Sequence, residues 1–391
     1  MPTPTPVALP EIESEIESEI DVETEPEPQP EAVGDAEPVI WAVVFAGGIG
    51  SRFWPLSTAE RPKPLLALLG ERPLVADTVA RLAPLVPASR VLVLTSGDIA
   101  EGVRRALPEV PATNVLVEPH PLGTAAALAW GADEARRRAG PEAVVVALHA
   151  DLAAAFPNDF RMTLKRAAVI AAREEAIVTV GVRPTRPEQS FGYVRPGRVV
   201  EGIGGVGSNA ARWASEFVEK PAPLLARQLI DDGALWHAGV LVGRSRVVLA
   251  SLGSHTPELA PALAALAAGD TSRFAGMTRS VGIERGLLER IEHLIVIPGD
   301  FGWDDVGTWA CLRRTRDLDD QGNGAVGPAH FVDATANVVH SERSTVVVYG
   351  MSNTLVVALD GVTFVTTLEK ARDLKPLLDA LPGSMRMKPG G

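Results

Sequence analysis

Short, uninterrupted apolar runs alternate with helical segments along most of this chain, and this alternation restricts the possible folds more than any other feature. The runs are rich in Val, Leu, Ile and Ala and occupy residues 39–46, 91–95, 114–117, 143–148 and 177–182. Helical patterns lie between them, for example at residues 124–138 and 159–175. An apolar run without polar alternation is typical of a strand that is buried on both faces, as in a parallel sheet. The sequence therefore predicts an α/β fold with a doubly wound, mixed but mostly parallel sheet.

A glycine-rich turn follows the first apolar run, at the end of a predicted strand where sheets of this kind bind ligands. Residues 46–52 read Ala-Gly-Gly-Ile-Gly-Ser-Arg, and Pro-Lys-Pro occupies 62–64. Glycines let the backbone approach an anion and turn its N–H groups toward it, and Arg and Lys add positive charge. The turn is neither a Walker loop nor a Gly-x-Gly-x-x-Gly dinucleotide turn, because the required spacings are absent. We therefore predict a polyphosphate site formed by Gly47, Gly48, Gly50, Ser51, Arg52 and Lys63.

The formal net charge of −12 is concentrated at the N-terminus. Residues 1–38 contain twelve Asp or Glu and no Lys or Arg, which leaves 37 acidic against 37 basic residues in the rest of the chain. A balanced body without a Lys/Arg-rich run does not suit nucleic acid. We expect residues 1–38 to be a disordered, Pro- and Glu-rich tail, because little apolar surface offsets the entropy of ordering. A helical interaction tail is the alternative, and the prolines from Pro26 onward argue against it.

The number of cysteines and the lack of long apolar runs indicate the cellular compartment in which we expect the protein. Cys311 is the single cysteine, so a disulfide framework or a thiolate metal cluster is not expected. The start lacks the basic and apolar regions of a signal peptide, and no apolar run approaches the roughly 20 residues of a membrane helix. These features predict a cytoplasmic protein with no membrane partner.

The pattern of residues along the chain changes after about Gly322. Residues 331–366 contain short Val-rich strands and polar turns without a helical period, and a final helix is predicted over residues 368–381. We therefore expect three parts, namely the tail at 1–38, a catalytic domain at 39–322 and a C-terminal β module at 323–391. The oligomeric state is left open, with the β module as a candidate surface for a homodimer.

Residues 46–66 resemble the signature of sugar nucleotidyltransferases, Gly-Gly-x-Gly-Ser/Thr-Arg followed by Pro-Lys. Trp-Pro-Leu-Ser at 54–57 is similar to the mannose-1-phosphate guanylyltransferase (GDP-mannose pyrophosphorylase) branch, and the resemblance extends over about residues 39–381. It implies a Rossmann-like, GT-A-like domain with a small C-terminal β-helix-like module. It also implies that GTP and α-D-mannose 1-phosphate react to give GDP-mannose and diphosphate by in-line, Mg²⁺-dependent transfer. Arg52, Lys63 and Lys220 would then be the catalytic cations.

The resemblance also implies a pair of metal ligands. Asp151 follows a predicted strand and resembles the aspartate of the family's Pro-x-Asp-His motif. Trp-Asp-Asp-Val-Gly-Thr-Trp at 303–309 resembles the family's Trp-x-Asp-Val-Gly-x-Trp motif and places the second ligand at Asp305. Mg²⁺ prefers one or two carboxylates together with phosphate oxygens, and two aspartates at strand ends fit that preference.

Further segments resemble motifs that bind the two substrates. Phe-Val-Glu-Lys-Pro implies that Glu219 binds sugar hydroxyls and that Lys220 neutralises the sugar phosphate. Phe-Gly-Tyr and Leu-Trp-His-Ala-Gly resemble segments that line the sugar pocket and contain Gly192 and His237. A third segment resembles the nucleotide-binding loop and contributes Glu118, Gly123 and Thr124, with Glu118 accepting hydrogen bonds from guanine.

Several positions depart from the family pattern. Leu152 occupies the position of a histidine, His237 that of an asparagine, and Glu284 that of an aspartate. Two alternatives therefore remain open. One is the same reaction with another sugar 1-phosphate or another nucleoside triphosphate, and the other is a non-catalytic paralogue that senses sugar nucleotides.

Overall fold

The apolar runs form strands of one large sheet in the computed structural model of the protein, which describes residues 37–48, 50–202, 207–312 and 317–387. In chain order, the strands of the body are β1 (Ile40–Phe45), β2 (Val91–Ser96), β3 (Val115–Glu118), β4 (Val144–His149), β5 (Leu152–Ala154), β6 (Ile177–Val182), β7 (Gly192–Val199), β8 (Arg212–Glu219), β9 (Leu235–Arg244), β10 (Leu294–Pro298) and β11 (Trp303–Asp305). Within the described residues, nine of them form a sheet of order β3-β2-β1-β4-β9-β6-β10-β8-β7. Strands β8 and β9 run antiparallel to their neighbours, and the remaining pairs β1–β2, β1–β4, β2–β3 and β6–β10 are parallel.

Helices cover both faces of this sheet. They are α1 (Leu74–Leu82), α2 (Gly97–Ala106), α3 (Thr124–Ala139), α4 (Pro157–Glu174), α5 (Pro223–Asp231), α6 (Ser245–His255), α7 (Leu263–Ala267) and α8 (Thr271–Met277). Side chains of α1, α2 and α4 belong to one core, and those of α3, α6, α7 and α8 belong to another. Strand β1 serves both cores, because its side chains alternate between the faces of the sheet. The prediction of a doubly wound, mixed, mostly parallel α/β sheet is confirmed.

The C-terminal segment winds through two narrow sheets. Its strands are β12 (Gly324–Val326), β13 (Ala329–Val332), β14 (Val338–Ser341), β15 (Val346–Tyr349), β16 (Thr354–Leu359) and β17 (Val362–Thr367). Parallel pairs link β12 to β14 and β14 to β16, while β13 pairs in parallel with β15. Buried asparagines stack between successive turns, and the Asn337 side chain donates to Asn323 Oδ1 and to the Met351 carbonyl, both at 2.9 Å. The β-helix-like character expected of this module is confirmed.

The prediction of one final helix over residues 368–381 is wrong. The segment forms a 3₁₀ turn at Lys370–Arg372 and a separate short helix at Lys375–Ala380. Pro376 lies in the first turn of that helix, where its missing N–H is tolerated, but it cannot donate to a preceding turn. Asp373 lies between the two pieces in an extended conformation and accepts the Lys375 N–H at 3.0 Å.

The β module and the catalytic body share a hydrophobic core. Phe53 and Trp54 from the segment after the glycine turn pack with Trp309 and with Leu355 and Val357 of the module. Residues Pro38–Gly391 accordingly form one unit, and the boundary expected after Gly322 stays a prediction. The tail expected at 1–38 lies outside the described residues apart from its last two positions. Within the described ranges, no helix combines the length and apolarity that crossing a bilayer requires.

Candidate active site

At the carboxyl end of β1, the glycine turn has a backbone conformation that is suited to binding anions. Gly48 and Gly50 have φ angles of 91° and 73°, in the left-handed region that favours glycine. The turn continues into a 3₁₀ turn at Ser51–Phe53, in which Ser51 and Arg52 are exposed. Arg52 makes no hydrogen bond or ion pair to any residue that the structure describes. Its guanidinium is therefore available for a phosphate group beside Gly47 and the two glycines of positive φ.

Lys63 lies beneath this turn and forms an ion pair with Asp151. Only 8% of Lys63 is exposed, and its Nζ contacts Asp151 Oδ2 and lies 5.4 Å from the centroid of the Phe53 ring. A β-carbon at Gly50 would collide with Cβ of Lys63, so glycine is required for this close approach. Burial alone would raise the pKa of Asp151, but the Lys63 ammonium and nearby His149 hold that pKa below its ordinary value. The lysine predicted to contact phosphate thus contacts a predicted metal ligand in this structure.

The two aspartates predicted to bind metal come from adjacent strands. Asp151 directly precedes β5, and β11 pairs antiparallel with β5 so that the Asp305 backbone lies opposite Leu152. Among the described side chains, His, Cys, Asp and Glu form no group of three or more that could hold a metal ion. Two carboxylates suit Mg²⁺, which takes its other ligands from phosphate and water, so these residues fit the expected ion. Leu152, in the position of the family's histidine, is buried in the core.

Glu118 ends β3 and carries a carboxylate oxygen with no partner. Its Oε1 is buried and makes no hydrogen bond to any described residue, while the Leu122 backbone N–H donates to the carboxylate. Burial raises the pKa of Glu118 to about 7, although the Leu122 hydrogen bond lowers it in part. An unpaired buried acceptor is costly, and a ligand that donates N–H groups would satisfy it.

Gly123 and Thr124 connect this loop to a second segment. Gly123 has a φ angle of 87°, and a β-carbon there would lie 2.5 Å from the Val281 carbonyl oxygen. The Thr124 hydroxyl, at the start of α3, accepts the Ile283 N–H at 2.8 Å. These contacts give both residues a structural part in holding Val281 and Ile283 beside the loop, and nucleotide contacts by Gly123 and Thr124 stay predictions.

Gly192, Glu219 and Lys220 lie together at the paired ends of β7 and β8. Gly192 is opposite Glu219, and a β-carbon on Gly192 would lie 3.0 Å from Glu219 Oε2 and 2.7 Å from Phe217 Cζ. Glycine therefore leaves room for the carboxylate, which forms an ion pair with Lys220 Nζ at 2.7 Å. Burial raises the pKa of Glu219, whereas the Lys220 hydrogen bond opposes that rise. Lys220 has a φ angle of 50°, a strained conformation that is often found at binding sites.

His237 lies on β9 as a buried neutral imidazole. Burial lowers the pKa of His237 to about 4, although the charge of Glu284 raises it in part. The Thr179 hydroxyl donates to the Val240 carbonyl at 3.0 Å and contacts His237 Nδ1 at 2.8 Å. Because that hydroxyl has a single proton, Nδ1 must donate to Thr179, and Nε2 is left as an acceptor. The charge of Glu284 also raises the pKa of the Glu219 carboxyl, so Glu284 lies near both His237 and Glu219.

Three residues near the site had no signal in the sequence. Thr179 sets the tautomer of His237, Glu289 Oε1 accepts the Glu219 N–H at 3.0 Å, and the charge of His149 acts on Asp151. His149 lies at a strand end, where ligands were expected, but nothing distinguished it from other histidines. Thr179 and Glu289 become visible only once the strands are paired.

The fold and this site define a nucleotidyltransferase. The family model described as nucleotidyl transferase matches residues 41–321, and the chain belongs to that family. A mannose-1-phosphate guanylyltransferase of Sinorhizobium fredii is 30% identical over 358 residues, which are 88% of this chain and 68% of the relative. The mannose-1-phosphate guanylyltransferase of Salmonella muenchen is 29% identical and covers 88% of this chain and 74% of the relative. The xanthan biosynthesis protein XanB of Xanthomonas campestris is also 29% identical, with 88% of this chain and 73% of the relative covered.

Solved structures are similar over most of the chain. A crystal structure from Thermus thermophilus, described as a mannose-1-phosphate geranyltransferase, aligns with a TM-score of 0.78 at 32% identity. The alignment covers 87% of this chain and 98% of the other. A crystal structure of mannose-6-phosphate isomerase from Helicobacter pylori aligns with a TM-score of 0.55 at 18% identity, over 68% of this chain and 100% of the other, and this likeness shows the fold alone.

Proposed function

We propose that this nucleotidyltransferase converts GTP and α-D-mannose 1-phosphate into GDP-mannose and diphosphate. The Glu118 carboxylate accepts the Leu122 N–H and has a buried oxygen without a partner among the described residues, and this is the observation that carries the choice of guanine. Guanine presents two adjacent N–H donors, which a carboxylate accepts together. The relatives named mannose-1-phosphate guanylyltransferase, which align over 88% of the chain, support both substrates.

Different residues of the site would assist different parts of an in-line displacement at phosphorus. A phosphate oxygen of the sugar phosphate attacks the α-phosphorus of the nucleotide, and the bond to the β-phosphate oxygen breaks so that diphosphate leaves. The attacking oxygen is already anionic, so no side chain has to remove a proton. In this proposal, Arg52 and Lys63 neutralise the departing diphosphate, and Lys220 neutralises the sugar phosphate. When bound by Asp151 and Asp305, Mg²⁺ supplies charge neutralisation at the phosphate oxygens.

The raised pKa of Glu118 predicts that GTP binding depends on pH. Only the ionised carboxylate accepts both guanine donors, and with a pKa of about 7 it is mostly ionised at pH 8 and mostly protonated at pH 6. We expect the Kd for GTP to rise about tenfold between pH 8 and pH 6, because a titrating group loses about tenfold of its ionised form per pH unit below its pKa. Isothermal titration calorimetry with GTP in the absence of sugar phosphate measures this change.

The matched control for that experiment is Glu118→Gln. This variant retains the shape of the side chain and the ionisation of GTP itself, but it has no carboxylate to titrate. The difference in pH dependence between wild type and variant isolates Glu118. Parallel pH profiles for the two proteins would show that Glu118 does not bind the base.

A second prediction concerns His237. We expect its Nε2, which is left as an acceptor, to receive a sugar hydroxyl in place of the family's asparagine, and Leu would remove that acceptor. We expect His237→Leu to raise KM for mannose 1-phosphate about tenfold, the effect of one lost hydrogen bond in a site that excludes water. His237→Asn should retain KM within about threefold, and KM for GTP should change in neither variant. Steady-state kinetics with each substrate varied tests this, and an unchanged sugar KM in His237→Leu would remove His237 from the sugar site.

Release of pyrophosphate tests the proposed reaction directly. The purified protein is assayed with each of four nucleoside triphosphates against mannose 1-phosphate, glucose 1-phosphate and other sugar 1-phosphates, with Mg²⁺ and with EDTA. We expect the highest kcat/KM for GTP with mannose 1-phosphate and no turnover after chelation. A higher value for another pair would reassign the substrates, and binding without release of pyrophosphate would favour the sensing paralogue.

A further inference from the structure

A cavity opens at the carboxyl ends of β6 and β10, and its described lining does not include the residues of the candidate active site. It encloses about 1040 Å³. Its walls include Trp236, which precedes His237 on β9, and Trp303, which lies on β11 with Asp305. Ligand pockets in proteins commonly have volumes of about 300–1,000 Å³, so this cavity can hold a small molecule.

The two tryptophans form an aromatic wall with one unsatisfied donor. Their ring centroids lie 6.1 Å apart, and the Trp303 indole N–H donates to the Ala238 carbonyl at 3.0 Å. Trp236 is only 4% exposed, and its buried indole Nε1 has no hydrogen-bond partner in the part of the chain that the structure describes. Buried tryptophans usually find an acceptor for this group. An oxygen of a molecule in the cavity would satisfy it.

Charged side chains of both signs surround the aromatic wall. Arg183 makes no hydrogen bond or ion pair within the described part of the chain, and the same holds for the Asp300 carboxylate. Arg212 donates only one bond in the described part, from Nη1 to the Gly197 carbonyl at 2.9 Å. Asp232 is already paired with Arg195 at 2.6 Å. Arg186 also lines the cavity and donates from Nε to Glu188 at 3.2 Å. The described lining thus offers three guanidinium groups with spare donors and the unpaired Asp300 carboxylate.

We propose that this cavity is a second ligand site, which takes a phosphorylated sugar. The phosphate binds Arg183 and Arg212, because guanidinium groups fork onto phosphate oxygens. Sugar hydroxyls donate to Asp300, and a sugar oxygen accepts the indole N–H of Trp236. Trp303 links the cavity to the active site, because it lies on the same three-residue strand as Asp305. The proposal concerns binding and holds whichever sugar the enzyme uses.

Equilibrium dialysis with radiolabelled mannose 1-phosphate, in the absence of nucleotide and Mg²⁺, tests the proposal. We expect two equivalents bound per chain of the full-length protein. The double substitution Arg183→Ala and Arg212→Ala should weaken one class of sites at least tenfold and leave the other unchanged. Trp236→Phe, which retains a ring but removes the N–H, should weaken the same class about fivefold. Arg90→Ala replaces an exposed arginine elsewhere on the body and should change neither class.

The two sites are separated by a complementary variant. Lys220→Ala should remove the active-site class and leave the cavity class, so failure of the proposed reaction and failure of this inference give different results. Inorganic phosphate, used as a competitor at equal concentration, should displace less than half of the sugar phosphate from the cavity. A single equivalent that Lys220→Ala abolishes, an unchanged pair of sites in the double arginine variant, or full displacement by phosphate would each overturn the inference.

Discussion

Replacing Arg52 by alanine is expected to lower kcat by about 100- to 1,000-fold, the loss typical of removing one preorganised group that stabilises developing charge. The side chain is exposed and has no partner among the described residues, so the melting temperature should remain within about 1 °C of the wild type, as expected for a surface substitution. Lys63→Ala should lower kcat to a similar degree. It should also lower the melting temperature, because it leaves the Asp151 carboxylate without its ammonium partner.

These two variants are best compared with Arg90→Ala, an exposed arginine remote in sequence from the glycine turn. Pyrophosphate release at saturating substrate gives kcat, and thermal unfolding followed by circular dichroism gives the melting temperature. A kcat near the wild-type value in Arg52→Ala or Lys63→Ala would exclude the catalytic role assigned to that residue. A loss of kcat in the Arg90→Ala control would show that removal of surface charge, and not loss of a phosphate contact, is responsible.

Trp309→Ala is expected to be the most destabilising substitution, by about 3–5 kcal/mol, the range for truncating a large aromatic side chain in a core. Trp309 is fully buried, its indole N–H donates to the Trp54 carbonyl at 3.0 Å, and its ring lies 5.3 Å from that of Phe53. The Trp309 ring also contacts His340 of the β module, with centroids 5.7 Å apart. Trp309 therefore joins the segment after the glycine turn to the module.

Because Trp309 packs against Phe53, we expect Trp309→Ala to change KM for GTP as well as stability. Phe53 ends the 3₁₀ turn that contains Arg52, so a cavity beside Phe53 should loosen the turn proposed to bind phosphate. We expect KM for GTP to rise at least tenfold in Trp309→Ala, at a temperature where the variant is folded, while KM for mannose 1-phosphate changes little. Trp309→Phe retains most of the packing and should lose about 1–2 kcal/mol, mainly for the missing hydrogen bond. Denaturant unfolding and steady-state kinetics measure both effects, and an unchanged KM for GTP would limit Trp309 to a packing role.

Much of the catalytic region can be recognised from the amino-acid sequence alone. The glycine turn stands out because it follows a buried strand, at the edge of the sheet where ligands bind, whereas Glu118 and Asp151 are recognised through the resemblance of their segments to family motifs. The prediction of a single final helix over residues 368–381 is wrong. Pro376 has no N–H to donate to a preceding turn, and the prediction from the sequence did not take this into account. The ion pair between Lys63 and Asp151 has no signal in the sequence, since it joins residues 88 positions apart.

The sequence by itself determined the class of fold and the family, because strands buried on both faces need continuous apolar runs and phosphate turns need glycine beside cations. Only the tertiary structure decided that Trp309 joins the β module to the segment after the glycine turn, that Thr179 sets the tautomer of His237, and that Gly192 makes room for Glu219. Each of these depends on the order and register of strands distant in sequence. Strand order and register follow from how whole faces pack together, which no local pattern of residues specifies.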